Sequence, residues 1–523
     1  MSESLRRALV SVSLSNLFFL PAWLILLNPS HYVYYYWPSD PGWVECEALV
    51  IDVLLLAVVF WLLSSFALHF RSSTLRRIGT VLFVLSLAIP FTSFFTDYLQ
   101  VPLSSLIGGH RGWLLVLILF AGLLCFALYR YPNRVVHITA TLLIILSPLI
   151  IVNLASVIWL RARSGLSAIE FQERTPTTRN TTRADSRQVI WIVFDEFDQA
   201  ATFDARPPSL KLPAIDAFRD VAIDAHNAFP PNRFTLFSMP SLTTGRLFAD
   251  ALPIRANEVE LTLPDNSKLK WSEQDNVFAE ARREGLTAGL AGWFHSYCRV
   301  IGDDLDSCQT VPVVDAINPS LDQLSLTKAM SVWSRTALFR VPFAFRLIER
   351  GYDRLRADQH REEFERLSSA ANQLLEQRLN LSLLHYPIPH QPWIFNKGNS
   401  ALGYSPQNDY YANLMLVDRT IGEIRQRLER ELRWDKTTVL VTSDHWWRGS
   451  ELHSGRRDHR IPFMLKLAGQ KSGVEFDAAF NTVLTRKLLM EVLRGTLAKP
   501  EEVVSWINEN SSVGESPFTQ NLP

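Results

Sequence analysis

Residues 437–463 read TTVLVTSDHWWRGSELHSGRRDHRIPF. Thr438 to Thr442 is a β-branched, apolar run of the kind that forms a buried strand, and it empties directly into Ser443, Asp444 and His445. In open α/β sheets the ligand crevice lies beyond the carboxyl ends of the strands, so an Asp-His pair at that point is placed for chemistry. His453 and His459 follow in the loop before Ile461-Pro462-Phe463 begins another apolar run. Carboxylate plus imidazole is a mixed donor set that suits zinc or manganese. An Asp-His pair after a strand also occurs as hydrogen-bonded structure, so other stretches must decide between the two.

Working outward, helix-like and strand-like runs alternate. VIWIVF (Val189 to Phe194) reads as a buried strand, and the charged amphipathic run Ser272 to Glu284 leads into the strand LTAGLAGWF. Arg361 to Arg378 reads as helix before LNLSLLHY, and Tyr410 to Leu432 as helix before TTVLVT. This alternation predicts a doubly wound, mostly parallel sheet with helices on both faces, an α/β/α sandwich. Within it Asp418 falls on the helix before the Asp444 strand and reads as structural.

The first third of the chain is a different material. Apolar stretches at about Leu9 to Leu27, Leu49 to His69, Ile78 to Tyr98, Trp113 to Leu128 and Val135 to Leu160 each approach the roughly 20 residues that span a bilayer. The prediction is a bundle of about five transmembrane helices. Basic residues at Arg6 and Arg7, at Arg71, Arg76 and Arg77, and at Arg130 and Arg134 fall in alternate loops, which puts the N-terminus in the cytoplasm and everything after Leu160 outside. Arg161 and Arg163 run against that rule. The aromatic run HYVYYYW, His31 to Trp37, reads as a membrane-interface belt, with a lipid-binding role as the alternative. Phe171 to Gln188, rich in Thr, Arg and Asn, reads as a flexible tether. The expected organisation is therefore a transmembrane domain over 1–165, a linker over 166–188, a catalytic domain over 189–500 and a tail over 501–523. Lys plus Arg equal Asp plus Glu, 52 each, so nothing in the charge balance argues for a nucleic-acid partner. The four cysteines show no zinc-ribbon spacing.

Three more stretches converge on the crevice. Val189 to Phe194 ends in Asp195 and Glu196, carboxylates that either cap a helix or join Asp444. FPPNRFTLFSMPSLTTGR, Phe229 to Arg246, is a hydroxyl-rich turn entering a helix, a geometry that serves as a cap or as a nucleophile favoured by the helix end. LLHYPIPHQPWIF, Leu383 to Phe395, places His385 and His390 in a proline-rich segment after a strand.

Strand-Asp, then Thr-x-x-Ser-x-Pro-Ser with Thr-Gly-Arg, then His-x4-His, then Ser-Asp-His before a Pro-Phe strand: this order resembles the sulfatase-like branch of the alkaline phosphatase superfamily. Within it the chain is similar to membrane-anchored phosphoethanolamine and phosphoglycerol transferases. The resemblance covers about Val189 to Leu493. It implies an alkaline-phosphatase-like domain and a divalent cation, zinc with manganese or calcium as alternatives. Asp195, Asp444 and His445 would ligate it, with Glu196 as a possible addition. Thr235 would be nucleophile and ligand, lying ten residues before Gly245 as that family's nucleophile does. His385, His390, His453 and His459 would bind substrate. The implied reaction moves a phosphoethanolamine-like headgroup from a phospholipid to a glycolipid or glycan through a threonine intermediate, on the outer side of a bacterial-type inner membrane. A phosphatase, phosphodiesterase or sulfatase-type hydrolase on the same fold, and a non-catalytic membrane scaffold, are the alternatives. Two departures stand out. The transferases usually carry Glu where this chain has Asp195, and sulfatases need a Cys or Ser matured to an aldehyde, which Thr235 cannot become. Cys298 and Cys308 flank an acidic loop in the exported half, where an oxidising compartment permits a disulfide; the sequence leaves open whether the two are bonded.

Overall fold

The computed structural model describes residues 2–28, 30–67, 129–162, 170–173, 187–313, 324–338, 344–451, 458–511 and 514–520, with 83, 126 and 455. They divide into two compact units. Unit 1 takes in Met1–His31, Ser39–Ile169 and Ala316–Arg350, and unit 2 Tyr32–Pro38, Glu170–Asp315 and Gly351–Pro523.

In unit 1, Trp43–Phe66 and Asn133–Ala162 are long and apolar enough to cross a membrane. Glu3–Phe18 and Leu20–Leu27 qualify only as a pair bent by 61°, and Pro21 in the first turn of the second helix explains the break, since proline lacks the N–H that would continue the first. Among the described residues there are thus two candidate spans, or three if the bent pair is one. The expected spans Ile78 to Tyr98 and Trp113 to Leu128 lie outside the described residues, apart from Phe83 and Phe126. Arg161, against the charge rule in the sequence, is paired with Asp40 at 3.0 Å. The helix Leu326–Leu338, within the range the sequence assigns to the catalytic part, packs in unit 1. It buries Ala329, Val332, Trp333, Thr336 and Ala337 along one face, and its Trp333 indole N–H donates to the Glu45 carbonyl at 2.8 Å.

Unit 2 is built on a nine-stranded sheet. In chain order its strands are β1 (Gln188–Asp195), β2 (Ile223–Phe229), β3 (Ala288–Trp293), β4 (Ser307–Val311), β5 (Leu381–Pro389), β6 (Thr437–Ser443), β7 (Ile461–Lys466), β8 (Val474–Phe476) and β9 (Phe480–Asn481). They lie in the order β8-β2-β7-β6-β1-β5-β3-β4, with β9 beside β2. Only β7 runs against the rest. β1, β5 and β6 are continuous apolar runs because parallel strands at the sheet centre are covered on both faces, and β5 and β6 are buried along their whole length. The register pairs Phe194 with Ser443 and Val193 with His385. Asp195, Asp444 and the His385–His390 segment therefore leave the sheet together at its carboxyl edge. β2 points the same way, so the chain beyond it brings Thr235 to that edge as well.

The predicted helices are present with shifted ends: Val277–Arg283, Ala344–Glu376 and Tyr410–Arg430. Asp418 is structural, as expected, accepting the Ile215 backbone N–H at 2.8 Å. Cys298 and Cys308, left open by the sequence, form a disulfide. The aromatic run needs correction. Val33, Tyr34, Tyr35 and Trp37 are buried within unit 2, so they are core residues and not an interface belt. A Tyr- and Trp-rich run has the composition of either environment, and only its partners tell them apart.

Candidate active site

Thr235 opens the helix Thr235–Thr244, whose N-cap, Phe234, makes no side-chain cap. The Thr235 hydroxyl is not spent on capping either: it stands 3.5 Å from Asp195 Oδ2 and 3.4 Å from His445 Nε2. The rest of this helix can be buried although it is rich in hydroxyls, because they turn back onto its own carbonyls. Ser241 bonds Phe237, Thr243 bonds Met239 and Thr244 bonds Pro240. Ser238 is fully buried and donates to the Asn232 carbonyl at 3.0 Å, away from the carboxylates.

Asp195, Asp444 and His445 form a buried group whose ligand atoms lie within 4.8 Å of one another. His445 Nε2 is 3.3 Å from Asp195 Oδ1 and 3.6 Å from Asp444 Oδ2. Both carboxylate oxygens are buried without a hydrogen bond. The other ring nitrogen, Nδ1, lies 2.9 Å from the Trp446 carbonyl. A carbonyl only accepts, so Nδ1 carries the hydrogen and, in the neutral ring, Nε2 presents its lone pair to the carboxylates, the orientation of a metal-ligating imidazole. A tetrahedral shell with ligands at about 2.0–2.1 Å has edges of about 3.3–3.4 Å, and His445 Nε2 stands at that spacing from Asp195 Oδ1, 3.3 Å, and from the Thr235 hydroxyl, 3.4 Å. The residues present therefore fit a divalent cation. Electrostatics agree. Burial alone would raise Asp195, but His390, His445 and His385 hold it well below the usual carboxylate range. Burial, and then Asp195, push Asp444 up to about 7. Burial would lower His445, yet Asp444 and Asp195 raise it to about 9. Two carboxylates this close in a dry site need positive charge for both to ionise.

Glu196 turns away from this group. It sits at φ 64, a left-handed conformation uncommon for a residue with a side chain. Its N–H donates to Asp444 Oδ1 at 3.3 Å, tying β1 to β6, while its carboxylate takes Arg448 Nε–H at 2.8 Å. Arg448 also reaches His390 Nε2 at 3.1 Å. An arginine only donates, so Nε2 accepts and His390 Nδ1 carries a hydrogen; that atom is buried without a partner. His385 Nδ1 lies 3.0 Å from the Tyr297 hydroxyl, and burial pushes the ring down to about 4. His459 is not part of the group: it bonds Glu515, and its ring lies tilted over Trp446 at 4.2 Å. His453 lies outside the described residues.

A cavity of about 350 Å³ opens over Thr235, lined by Asp195, His390, His445, Arg448, Trp293 and His360 among others. His360 Nδ1 is 2.9 Å from Glu363 Oε2, which also takes the Trp293 indole N–H at 3.1 Å. Sequence reasoning missed Arg448, Trp293, His360, Glu363 and His295. Arg448 was in view, three residues past His445, and His295 comes just after the end of β3, a position that the rule behind Asp444 would also have picked out. His360 and Glu363 lie inside a long helix, where nothing marks them.

The sulfatase family profile matches residues 187–485. No curated protein matches the chain. Similar solved structures include the PsFucS1 sulfatase from Pseudoalteromonas sp., 12% identical over 64% of this chain and 72% of that one, at a TM-score of 0.41. The phosphonate monoester hydrolase of Agrobacterium radiobacter is 15% identical over 59% and 74%, at 0.37. A protein in the alkaline phosphatase superfamily from Vibrio parahaemolyticus is 14% identical over 61% and 68%, also at 0.37.

Proposed function

The chain belongs to the sulfatase family, and from that premise we propose that it is a metal-dependent phosphoryl-type transferase that uses Thr235 as nucleophile and a phospholipid as donor. The observation that carries this reading is the Thr235 hydroxyl, unspent as a cap and 3.5 and 3.4 Å from Asp195 and His445. Threonine cannot mature to the aldehyde that a sulfate-ester hydrolase would use, which favours phosphorus chemistry at the same place.

Asp195, Asp444 and His445 would hold the cation, for which zinc suits the mixed donors, with manganese or calcium as alternatives. When bound, it supplies Lewis-acid charge to the ester and lowers the pKa of the Thr235 hydroxyl. The remaining work falls to the chain. Thr235 Oγ1 attacks phosphorus as the bond from phosphorus to the lipid oxygen breaks, and the departing oxygen takes up a proton. Asp195 Oδ2, 3.5 Å away, orients the hydroxyl; the proton that Thr235 gives up passes to solvent, and solvent supplies the one that the departing oxygen takes. The amide end of the helix Thr235–Thr244 faces the negative charge that gathers on the phosphoryl oxygens. His390 Nδ1–H and the Arg448 guanidinium add donors beside it. An acceptor hydroxyl then displaces Thr235, which recovers its proton.

The phosphoethanolamine headgroup and the glycolipid or glycan acceptor rest on the motif resemblance. The extracytoplasmic, multi-pass placement rests on the alternating basic loops and on the Cys298–Cys308 disulfide, which suits an oxidising compartment. The test incubates the purified full chain and zinc with a headgroup-labelled phospholipid and a second lipid bearing free hydroxyls. Label on the second lipid supports the transferase. Label released only to water makes the protein a hydrolase, and label that stays on the donor sinks both.

A further inference from the structure

Tyr35 lies in the four-residue helix Val33–Tyr36, between the first and second apolar stretches of the sequence but inside unit 2. It is fully buried, and its hydroxyl stands 2.8 Å from His295 Nδ1. His295 Nε2 in turn stands 3.1 Å from the Thr235 carbonyl oxygen. That carbonyl can only accept, so Nε2 carries the hydrogen. In the neutral ring Nδ1 is then a lone pair, and the Tyr35 O–H donates to it. One chain of hydrogen bonds thus runs from Tyr35 to the peptide of Thr235.

Two further features hold this chain taut. Arg299, itself buried, donates to the Tyr35 carbonyl at 2.8 Å and to the Trp37 carbonyl at 3.0 Å, closing the end of the short helix. On the other side, His295 N–H bonds the Trp293 carbonyl at 2.9 Å across Phe294, whose φ is 73. A three-residue turn with positive φ is rare and strained for a bulky side chain. The Tyr36 ring packs edge-on against Phe294 at 5.5 Å, so the same segment that bonds His295 also braces the turn that aims it.

We propose that Tyr35 is a positioning residue for the nucleophile: through His295 it fixes the Thr235 peptide, and with it the direction of the Thr235 hydroxyl towards Asp195 and His445. Phe234 gives the helix no side-chain cap, so no side chain there fixes its first amides. His295 holds the first turn from the carbonyl side instead, through the Thr235 oxygen. The inference rests on the reading of Thr235 as nucleophile, and its test separates the two.

Full-length protein in detergent, loaded with zinc, is assayed on an aryl phosphodiester. Tyr35→Phe should lower kcat by about tenfold, as expected for a modest misalignment of a reacting group, with KM and bound zinc unchanged and the melting temperature lowered no more than in Ser238→Ala, which also loses one buried hydrogen bond. His295→Gln, which keeps an N–H for the Thr235 carbonyl, should retain more activity than His295→Leu. Wild-type kcat in Tyr35→Phe overturns the proposal. So does a parallel fall of kcat, zinc content and melting temperature, which marks a merely structural role. Should the wild-type chain turn over neither an aryl phosphodiester nor an aryl sulfate, the functional reading has failed, and amide hydrogen exchange decides the positioning claim. Faster exchange in Tyr35→Phe confined to the peptide carrying Thr235–Met239 upholds it; unchanged exchange, or a rise throughout unit 2, overturns it.

Discussion

Thr235 and Ser238 sit three positions apart in one helix, yet their hydroxyls face different partners. Ser238 is bound to the Asn232 carbonyl at 3.0 Å, whereas Thr235 faces Asp195 and His445. Thr235→Ala should fold, bind metal more weakly and lose turnover. Ser238→Ala should keep substantial activity and give up about 1 kcal/mol for its one buried hydrogen bond. Mass spectrometry of the trapped intermediate checks both, and added mass on Ser238 would reverse the assignment. Asp444 makes a sharper case. Its Oδ1 accepts the Glu196 and His445 N–H groups, while its Oδ2 is buried with no hydrogen bond and is left for a cation. Asp444→Ala should therefore lose most bound zinc while its circular dichroism stays that of the parent. Unchanged zinc in that variant would remove the metal assignment.

At the scale of elements, the sheet's carboxyl edge is organised by helices that carry polar residues inward. On the helix Tyr410–Arg430, Asp418 accepts the Ile215 N–H in the first turn of the helix Pro213–Arg219. Burial raises this carboxyl from 3.8 to about 6. The folded chain thus prefers the protonated form. The contribution is fully present below pH 3.8 and is lost as pH rises through about 6. Asp418→Asn keeps an oxygen for Ile215 and removes the titration. Denaturation midpoints measured across this window should lose the part of their pH slope that belongs to Asp418, with no loss of stability at neutral pH. A variant with the parent's slope would show that the carboxyl is not the group responsible. Asp418→Ala removes the acceptor as well and should cost about 1 kcal/mol, as for the loss of a helix cap.

For the whole molecule, the proposal is a catalytic unit held outside the membrane by apolar helices. Two candidate spans, or three with the bent pair, are seen among the described residues. A reporter enzyme that works only outside the cytoplasm, fused after Pro523, should be active in cells, and one that works only inside should be silent. The reverse pattern would invert the topology and remove membrane phospholipid of the outer face as donor.

The strand ends are what the sequence determined by itself. A β-branched run ending in Asp-His, and VIWIVF ending in Asp, announce buried parallel strands through local composition. The carboxyl edge of such a sheet gathers the residues just past each strand, so Asp195, Asp444 and His445 could be read together from positions far apart in the chain. Glu196 could not be read that way: whether its carboxylate meets a cation or Arg448 depends on a backbone turned to φ 64 and on a partner from the β6 side. Nor could His459, whose partner is Glu515, or the aromatic run at Tyr35, whose hydroxyl finds His295 across 260 positions. Periodicity and composition report which side chains avoid water. Which distant group a buried polar atom meets is settled only when the chain closes on itself, because a partner must come within hydrogen-bond reach from elsewhere in the sequence.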